Sequence, residues 1–508
     1  MSVLAFDFGA SSGRALLGEL SDDKIQYKEI HRFANEPVNL CGTLYWDVLR
    51  LFREIKVSIT KAVNEGGFSS IGIDTWGLDF GILDADGRLL ENPVHYRDQR
   101  TQNIPEEVFS IISKEEIYSQ TGIQTMRFNT LFQLYYLTHY RTELMSRADK
   151  ILMMPDLFAY FLTGEKKCEY TNATTTQMFN PIKNEWADIL QKLQINTDIL
   201  PQIIEPKTPY GDLSDEICEE LGCKKVPVIA ICTHDTASAI AALPIKSDIN
   251  EINNLHTPTS SNDAQNPLFL SCGTWSLMGT ELHAPLINDK TMELNLTNEG
   301  GYGKSIRFLK NIMGLWLIQE SRRQWIREGN EYSYAELEKA ALNAEPFKYF
   351  IDPDSAEFET PGNIPKRIMK AINNEYFAEN SEKSVPPNLI MRCIYESLAM
   401  KYRYVAESIQ NVTGDEYDVI HIIGGGVKDK LLCQMTADFC GKKVIAGPIE
   451  ATGIGNITVQ LITLGKIKNL QSAREIIKNS FEPICYEPNK IEGIEAAYQR
   501  FLVMCQSC

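Results

Sequence analysis

The sequence predicts a two-domain α/β protein, and three observations support this fold class. The chain has 508 residues, whereas single domains commonly have about 100–200. Short apolar segments with strand patterns alternate with segments of helical periodicity. A strand, a small-residue turn and a second strand open the chain, and this pattern returns after residue 267. The repetition predicts two related domains.

The first half opens with strands. Val3–Phe8 is a short apolar run that predicts a buried strand, and Gly9–Gly13 predicts a turn of small residues. Arg14–Leu20 and Ile25–Phe33 predict the second and third strands. A dinucleotide-binding domain would instead pass from its first strand into a helix. The other elements predicted in this half are helices at Leu49–Ala62, Leu131–Leu144, Ala148–Leu162 and His234–Leu243, and strands at Ser70–Thr75, Leu78–Leu83 and Val226–Cys232.

The composition changes after residue 245. Residues 246–267 are rich in Ser, Asn, Asp, Thr and Pro, which predicts an exposed loop. Leu268–Ser271 and the segment that begins at Trp275 predict strands, so CGTWSLMGT repeats the pattern of FGASSGRAL. Val419–Ile423 predicts another strand, followed by three glycines and a helix. The predicted division is an N-terminal domain at 1–245, a linker at 246–267, a C-terminal domain at 268–470 and a helical tail at 471–508.

The composition indicates a soluble globular protein. Hydrophobic residues make up 44% of the chain and charged residues 23%, and the formal net charge is −17. Such an acidic surface repels nucleic acid and anionic membranes, so neither is expected as a partner. No apolar run approaches the roughly 18–20 residues of a membrane span, and the first ten residues lack the basic start of a signal peptide. We expect a cytoplasmic protein, and a monomer or weak homodimer.

The 12 cysteines predict reduced thiols rather than a disulfide framework. Cys505 and Cys508 form a CxxC pair, but the sequence has no second pair and no histidine at zinc-site spacing. We interpret this terminal pair as incidental and most other cysteines as buried.

Two turns carry the residue types that bind phosphate. In DFGASSGR, Asp7–Arg14, small residues at a hairpin tip let backbone N–H groups approach a phosphate, while serines and an arginine add donors. Asp7 ends the strand, where its carboxylate is placed to bind Mg²⁺ through water. SCGTWSLMG, Ser271–Gly279, repeats this arrangement with Thr274 as a hydroxyl donor. Each loop alone is also compatible with a plain turn, but two such loops can bind one nucleotide together.

Two further motifs follow apolar strands. The run Gly424–Gly426 costs conformational entropy, which makes sense where a flat ring or a ribose lies against the backbone. THDTASA, Thr233–Ala239, places Asp235 between a strand and a helix of small residues. This carboxylate can accept a proton from a hydroxyl that attacks a phosphate, or it can simply cap the helix. His234 alone is more typical of a hydrogen-bonded structural histidine.

Two polar and aromatic blocks in the first half are candidates for sugar contacts. IDTWGLDF, Ile73–Phe80, contains a Trp76-Gly77 break that offers a ring face and exposed backbone. HYRDQR, His95–Arg100, is a dense polar cluster that can form a hydrogen-bonding wall around a polyol. Core packing of Trp76 and a solvated loop at HYRDQR are the alternatives.

In their order along the chain, these motifs resemble the FGGY carbohydrate kinases. The matching blocks are DFGASSGR, IDTWGLDF, HYRD, YTNATTTQ, HDTASA, SCGTWSLMG, TNEGG, KNIMGLWL, IIGGG and ATGIGN. They cover residues 3–470, and SCGTWSLMG and KNIMGLWL are typical of one subgroup of the family and its near relatives. The sequence departs from the pattern at 246–267, which is longer than the usual connection, and after Leu470.

The resemblance implies a fold, a reaction and site residues. The fold would be two RNase H-like, actin-like ATPase domains flanking a cleft for nucleotide and sugar. The reaction would be transfer of phosphate from ATP, with Mg²⁺, to the C1 hydroxyl of L-rhamnulose in rhamnose catabolism. On matching positions, the implied roles are phosphate binding by Ala10, Ser11, Ser12, Gly13 and Arg14, Mg²⁺ binding by Asp7, nucleotide contact by Thr274, Gln319 and Gly425, and sugar contact by Gly77, His234, Asp235, Thr236 and Asn311, with Asp235 as the general base.

Three alternatives stay open at this point. Another ketose, such as L-fuculose or L-xylulose, would keep the enzyme class and change the substrate. An actin-like ATPase with a structural or chaperone role would have no need of THDTASA and IDTWGLDF, so these blocks argue against it. The intact Asp7 and Asp235 argue against a catalytically inactive sugar sensor.

Overall fold

The structure, a computed structural model, describes residues 1–245, 267–372 and 386–506. Its strands are β1 Val3–Phe8, β2 Ser12–Ser21, β3 Lys24–Ala34, β4 Val38–Leu40, β5 Thr43–Tyr45, β6 Ile71–Thr75, β7 Phe80–Leu83, β8 Lys150–Met153, β9 Lys167–Glu169, β10 Phe179–Asn180, β11 Glu185–Trp186, β12 Gln202–Ile204, β13 Pro209–Asp212, β14 Pro227–Ile229, β15 Leu268–Cys272, β16 Trp275–Leu282, β17 Thr297–Gly300, β18 Ile306–Met313, β19 Val419–Ile423, β20 Lys443–Ala446 and β21 Ile484–Tyr486.

The α-helices are numbered in the same way. They are α1 Val48–Asn64, α2 Ile104–Ile111, α3 Lys114–Thr121, α4 Thr130–Tyr140, α5 Thr142–Met145, α6 Met154–Thr163, α7 Tyr170–Ala173, α8 Ile189–Lys192, α9 Asp215–Leu221, α10 Asp235–Ala241, α11 Asp289–Glu293, α12 Trp316–Arg327, α13 Tyr334–Leu342, α14 Ile364–Ala371, α15 Pro387–Thr413, α16 Lys430–Cys440, α17 Ala451–Thr463, α18 Leu470–Ser480 and α19 Ile494–Gln506.

The chain forms two compact units, each assembled from separate stretches of sequence. The first unit comprises Met1–Asn266, Glu281–Leu309 and Glu450–Glu482, and the second comprises Pro267–Thr280, Lys310–Ile449 and Pro483–Cys508. The predicted domain bounds divide the chain into continuous segments, and that division stays a prediction.

A six-stranded sheet forms the centre of the first unit, in the order β13-β14-β6-β1-β2-β3. β1 pairs antiparallel with β2 and parallel with β6, whereas β14 pairs parallel with β6 and antiparallel with β13. All six residues of β1 are buried, as its nearly continuous apolar sequence VLAFDF requires. This central strand carries Asp7 at its penultimate position.

A helix from late in the chain, α17, packs on this sheet. A Cβ atom on Gly453 would lie 2.3 Å from Leu16, and one on Gly455 would lie 1.8 Å from the carbonyl oxygen of Ser238. Both positions need glycine, because the neighbouring atoms occupy the space that a Cβ atom would take. The motif ATGIGN thus seats α17 against β2 and α10, and it brings Asn456 to the sheet, where its amide donates to the carbonyl of Phe6 at 3.2 Å.

The second unit contains strands that repeat the pairing of the first. β15 pairs antiparallel with β16 and parallel with β19, β19 pairs parallel with β20, and β20 pairs antiparallel with β21. The order β16-β15-β19-β20-β21 therefore has the same succession of pairing directions as β2-β1-β6-β14-β13. A strand–turn–strand hairpin begins both sheets, so the prediction of two related α/β domains is confirmed.

The predicted helix at Ala148–Leu162 is wrong in its first part. Lys150–Met153 forms β8, which pairs antiparallel with β7, and α6 begins only at Met154. A short buried run such as Ile-Leu-Met is compatible with either element. Pairing with β7 decides for a strand, because it satisfies the backbone N–H and C=O groups of both segments.

The sequence predicts a helical tail at 471–508. The segment is not entirely helical, because β21 interrupts it and pairs with β20. The predicted loop at 246–267 lies outside the described residues except for Pro267, and so does Cys508 of the CxxC pair. All cysteines in the described part of the chain are free thiols. None of the helices in that part combines the length and the apolar composition of a membrane span.

Candidate active site

The hairpin between β1 and β2 forms the predicted phosphate loop, with Gly9, Ala10 and Ser11 at its tip. The N–H of Gly9 donates to the carbonyl of Ser12 at 3.0 Å. Asn35 braces the loop, since its side-chain amide donates to the carbonyl of Gly9 at 2.8 Å and its backbone N–H donates to that of Ser11 at 3.1 Å. With these carbonyls occupied, the tip can turn N–H groups toward a phosphate. Sequence reasoning missed Asn35, which no local pattern marks.

Ser12 and Gly13 lie at the start of β2 rather than at the tip. A Cβ atom on Gly13 would lie 2.3 Å from the ring of Phe33, so glycine is required here for packing. Ser11 is exposed, whereas Ser12 is half-buried. Among the five predicted phosphate residues, Ser11 is the exposed one, Ala10, Ser12 and Arg14 are half-buried, and Gly13 is buried.

Two carboxylates hold Arg14 beside this loop. Its Nε and Nη2 donate to one oxygen of Asp7 at 2.8 and 2.6 Å, and its Nη1 forms an ion pair with Glu450. Burial alone would lower the pKa of Arg14, but the carboxylates of Asp7 and Glu450 raise it above its ordinary value. The guanidinium therefore remains a fixed positive charge. Glu450 lies directly before α17 and was not predicted.

Asp74 places a second buried carboxylate next to Asp7. The two residues are register partners on the parallel strands β6 and β1, and Asp74 has no exposed surface. Asn456 donates to Asp74 Oδ2 at 2.6 Å. Burial raises the pKa of Asp74 well above its ordinary value, and the neighbouring Asp7 raises it further. The structure thus groups carboxyl oxygens at the end of the central strands, where the sequence had indicated Asp7 alone.

Asp235 is the first residue of α10. Its Oδ1 accepts hydrogen bonds from the N–H and the hydroxyl of Thr236. Burial raises the pKa of Asp235 to about 7, and the charge of Asp7 contributes to this rise. The side chain nevertheless keeps 29% of its surface exposed, so a ligand can reach it. A carboxyl group with this pKa and access is suited to accept a proton from a hydroxyl.

His234 lies between two acidic side chains. Its Nε2 is 3.4 Å from Asp235 Oδ1, and its Nδ1 is 3.5 Å from Glu299 Oε2. The same oxygen of Glu299 is 3.1 Å from Nη1 of Arg307, which has no exposed surface. Burial lowers the pKa of His234 well below its ordinary value, and Arg307 lowers it further, so the imidazole is neutral at pH 7.

Glu299 and Arg307 belong to the antiparallel pair β17–β18. The motif TNEGG, which contains Glu299, contributes to the family resemblance, but the sequence analysis predicts no role for Glu299 or Arg307. Nothing local in the sequence marks these residues as neighbours of His234, because they follow it by more than sixty positions.

The backbone of Gly77 lies beside His234. A Cβ atom on Gly77 would lie 3.0 Å from Thr175 Oγ1 and 3.5 Å from His234 Cδ2. The structure therefore brings together Gly77, His234, Asp235 and Thr236, four of the five residues predicted to contact sugar.

The residue after Gly77 has an unusual backbone. Leu78 has a φ of 76°, a conformation that bulky residues rarely adopt. Its carbonyl accepts hydrogen bonds from Thr130 Oγ1 at 2.7 Å and from Gln133 Nε2 at 3.3 Å, both on α4. Such strain, held in place by surrounding contacts, is typical of binding sites. It also explains why the strand predicted at Leu78–Leu83 begins only at Phe80.

Trp76 belongs to a buried aromatic stack. Its ring centroid is 4.1 Å from that of Trp46, which in turn is 4.2 Å from that of His95. Asp79 accepts hydrogen bonds from Nε1 of both tryptophans, at 2.6 and 3.1 Å, and burial raises the pKa of Asp79 to about 6. Trp76 is therefore a core residue. His95 and Arg97 are also buried, so HYRDQR is not a solvated loop.

In the second unit, the hairpin between β15 and β16 brings two predicted nucleotide residues together. Thr274 Oγ1 donates to Gln319 Oε1 at 3.3 Å. The carbonyl of Thr274 also accepts from the N–H of Trp316 at 3.1 Å, which ties the hairpin to the start of α12. Gln319 lies one turn later on that helix.

Each of the three consecutive glycines has a different local environment. Gly424 has a φ of 85°, which glycine adopts without strain. A Cβ atom on Gly426 would lie 2.2 Å from Cys272 Sγ, so this position needs glycine for packing on β15. Apart from its neighbours in the chain, no atom of the described residues lies within 4 Å of a Cβ atom built on Gly425. Open space beside the backbone therefore occurs at Gly425, the residue predicted to contact the nucleotide.

Asn311 lies on β18 and belongs to the second unit, whereas the other four predicted sugar residues belong to the first. Thr274, Gln319 and Gly425 also belong to the second unit. The phosphate loop from Ala10 to Arg14 belongs to the first.

Two domain models of one protein family together match most of the chain. The N-terminal domain model of the FGGY family of carbohydrate kinases matches residues 2–242, and the C-terminal domain model matches residues 268–464. The chain is 40% identical over 494 residues to "Rhamnulokinase" of Oceanobacillus iheyensis, covering 96% of this chain and 99% of that protein. It is 38% identical over 504 residues to "Rhamnulokinase" of Bacteroides thetaiotaomicron, covering 98% of each.

Solved structures show the same fold. The xylulose kinase of Lactobacillus acidophilus matches with a TM-score of 0.78 at 17% identity, covering 100% of this chain and 97% of that one. The glycerol kinase of Plasmodium falciparum with ADP matches with a TM-score of 0.74 at 15% identity and the same coverage. The predicted actin-like fold is confirmed by this likeness. Because the family models match most of the chain, the chain belongs to the FGGY family of carbohydrate kinases and is a sugar kinase.

Proposed function

We propose that this sugar kinase transfers the γ-phosphate of ATP to the C1 hydroxyl of L-rhamnulose, giving L-rhamnulose 1-phosphate and ADP. The observation that carries the chemistry is Asp235, an accessible carboxyl group whose pKa burial raises to about 7, beside the neutral His234. The choice of substrate is supported by relatives named Rhamnulokinase that are 36–41% identical to this chain over nearly its whole length.

Asp235 would act as the general base. Its carboxylate would accept the proton of the C1 hydroxyl as that oxygen attacks the γ-phosphorus in line with the leaving ADP. Gly77, His234, Thr236 and Asn311 would position the sugar. Holding the two reactants in this geometry supplies much of the rate, since phosphoryl transfer needs little covalent help from the protein.

The phosphates would lie against the loop tip at Ala10 and Ser11, with Arg14 as a nearby positive charge. Ser12 and Gly13 would support that tip from β2. Thr274 and Gln319 would contact the nucleotide through their side chains, and Gly425 through its open backbone. Backbone N–H groups and a guanidinium are the donors that phosphate oxygens accept best.

The acidic residues at the end of the central strands fit a magnesium ion. Asp74 Oδ1 is buried without a hydrogen-bond partner among the described residues, and Asp7 lies beside it. Mg²⁺ prefers oxygen ligands and commonly takes one or two carboxylates together with phosphates and water. Asp7 would hold the ion, which would neutralise charge on the transferred phosphate.

The remaining features of the proposal concern the whole protein. We propose that it acts in the cytoplasm as a monomer or weak homodimer, in rhamnose catabolism. The segment 246–267 would connect the N-terminal and C-terminal kinase domains, at 1–245 and 268–470.

The test is ADP release by the purified protein with Mg·ATP and a panel of L-rhamnulose, L-fuculose, L-xylulose, D-xylulose, glycerol or no sugar. We expect kcat/KM for L-rhamnulose to be much higher than kcat/KM for any other acceptor in the panel. A higher kcat/KM for another ketose would contradict the assignment of L-rhamnulose as the substrate but would leave the proposed chemistry unchanged. ATP turnover that no sugar changes would contradict both.

A further inference from the structure

We propose that Glu299 is a positioning residue that sets the tautomer of His234, so that Nδ1 carries the proton and Nε2 accepts a hydrogen bond from a sugar hydroxyl. The inference rests on the proposed function, because it takes a hydroxyl-bearing substrate as the ligand beside His234.

The first step is the contact geometry. Glu299 Oε2 lies 3.5 Å from His234 Nδ1 and 3.1 Å from Arg307 Nη1. His234 Nδ1 has no closer hydrogen-bond partner within the described residues. The side chains of His234 and Glu299 are 10% and 5% exposed, so bulk water contributes little to either. Hydrogen bonds at an active site often shorten only when substrate is bound.

The second step is the charge balance. Arg307 is fully buried, its guanidinium can only donate hydrogen bonds, and its ion pair with Glu299 Oε2 compensates its charge. An ionised carboxylate only accepts hydrogen bonds. A neutral imidazole facing this acceptor through Nδ1 is stabilised when Nδ1 bears the proton. Asp235 Oδ1 faces Nε2, but it already accepts two hydrogen bonds from Thr236, so it competes weakly for the ring proton. We therefore place the single proton of the neutral ring on Nδ1 and none on Nε2.

The third step is the consequence at the other nitrogen. Nε2 lies 3.4 Å from Asp235 Oδ1, on the side that faces the general base. In the proposed tautomer Nε2 has a free lone pair and cannot donate to Asp235. It would accept a hydrogen bond from a sugar hydroxyl, while the Asp235 carboxylate keeps its own lone pairs for the reacting hydroxyl. The opposite tautomer would place a competing N–H donor against the base.

The tautomer can be read directly by two-bond ¹H–¹⁵N correlation NMR of the ¹⁵N-labelled full chain, in which the two ring nitrogens give distinct shifts. The seven histidines are few enough to resolve, and loss of one set of signals in His234→Gln identifies His234. We expect protonated Nδ1 and unprotonated Nε2 at pH 7. A protonated Nε2, or a doubly protonated ring, would overturn the proposal whether or not any sugar is a substrate.

A double-mutant cycle tests whether Glu299 acts through His234. We expect Glu299→Gln to lower kcat/KM for the best sugar of the panel about tenfold, the effect of losing one hydrogen bond in the transition state. KM for ATP should change by less than about twofold, because the nucleotide contacts are elsewhere. In a His234→Gln background the same change should cost less than about twofold, since no imidazole remains to be oriented. An equal cost in both backgrounds would show a merely structural role.

Glu281→Gln is the matched control, because Glu281 also compensates a buried arginine. Its Oε2 accepts from Arg474 Nη2 at 2.7 Å, and Arg474 has no exposed surface. We expect a similar loss of thermal stability in both glutamine variants but no change of the His234 signals in Glu281→Gln. Failure of every sugar to react would contradict the proposed function, while the NMR result would still decide the relation between Glu299 and His234.

Discussion

Arg14 donates two hydrogen bonds, from Nε at 2.8 Å and from Nη2 at 2.6 Å, to a single carboxylate oxygen of Asp7. The two residues face each other across the hairpin as register partners of β2 and β1. The pair therefore links the proposed phosphate-binding charge to the proposed magnesium ligand.

Arg14→Lys should raise KM for Mg·ATP by about tenfold, because lysine keeps the charge but cannot make both hydrogen bonds to Asp7. KM for the sugar should change little. Initial rates at saturating sugar and varied Mg·ATP measure the effect. Arg88→Lys is the control, since Arg88 is 80% exposed and pairs with Asp86 on the surface. Equal increases in the two variants would count against a role for Arg14 at the phosphate.

Asp235→Asn should lower kcat by about 10²-fold or more, because asparagine cannot accept the hydroxyl proton. The affinity for ATP should stay within about twofold, since the amide has nearly the same shape and the phosphate loop is unchanged. Calorimetric titration with ATP and single-turnover kinetics separate the two quantities. Turnover at the wild-type rate would remove Asp235 from the role of general base.

Asp235 should also make kcat/KM fall at acidic pH. Burial raises the pKa of Asp235 to about 7, so the carboxyl is increasingly protonated below that pH and cannot accept a proton. We expect kcat/KM for the sugar to fall by about tenfold for each pH unit below the pKa. A pH–rate profile between pH 5 and pH 8 measures this, and the Asp235→Asn variant should lack that acidic limb. A flat wild-type profile is the contrary result.

Gly77→Ala should raise KM for the sugar by about tenfold or more while KM for ATP changes little, because the added methyl group would enter the space beside Thr175 and His234. Gly211→Ala is matched in crowding, since its Cβ would lie 3.0 Å from the flexible Glu165 side chain. Steady-state kinetics and thermal unfolding compare the two. A similar loss of stability and an unchanged KM in both variants would argue that Gly77 serves packing alone.

Gly425→Ala and Gly426→Ala should have different effects although they are neighbours. At Gly425 the methyl group would lie more than 4 Å from every atom of the described part of the chain except the adjacent residues, so stability should be kept while KM for ATP rises. At Gly426 the Cβ would lie 2.2 Å from Cys272 Sγ, and the free energy of unfolding should fall by about 1–3 kcal/mol. Thermal denaturation and ATP kinetics distinguish these outcomes, and Cys272→Ala should partly restore stability to Gly426→Ala. Loss of stability in both variants would contradict the open site at Gly425.

Local patterns were sufficient for much of the fold. The apolar run of β1, the small-residue turn after it and the second hairpin at β15–β16 are all visible in sequence, because strand pairing across a tight turn depends on adjacent residues. The error at Lys150–Met153 came from a short apolar run whose partner strand, β7, lies far away in sequence. Periodicity could not choose between helix and strand there.

The sequence by itself determined that two related α/β units exist, and it marked Asp7, Gly77, His234, Asp235 and the glycine turns as candidates through motifs and their order. Only the tertiary structure decided what surrounds them. Asn456 reaches Asp74 across 382 positions, and Glu299 and Arg307 reach His234 from a separate strand pair. Such contacts depend on how the chain returns to the same sheet, and a buried charge or amide has no local periodic signal that reveals its partner.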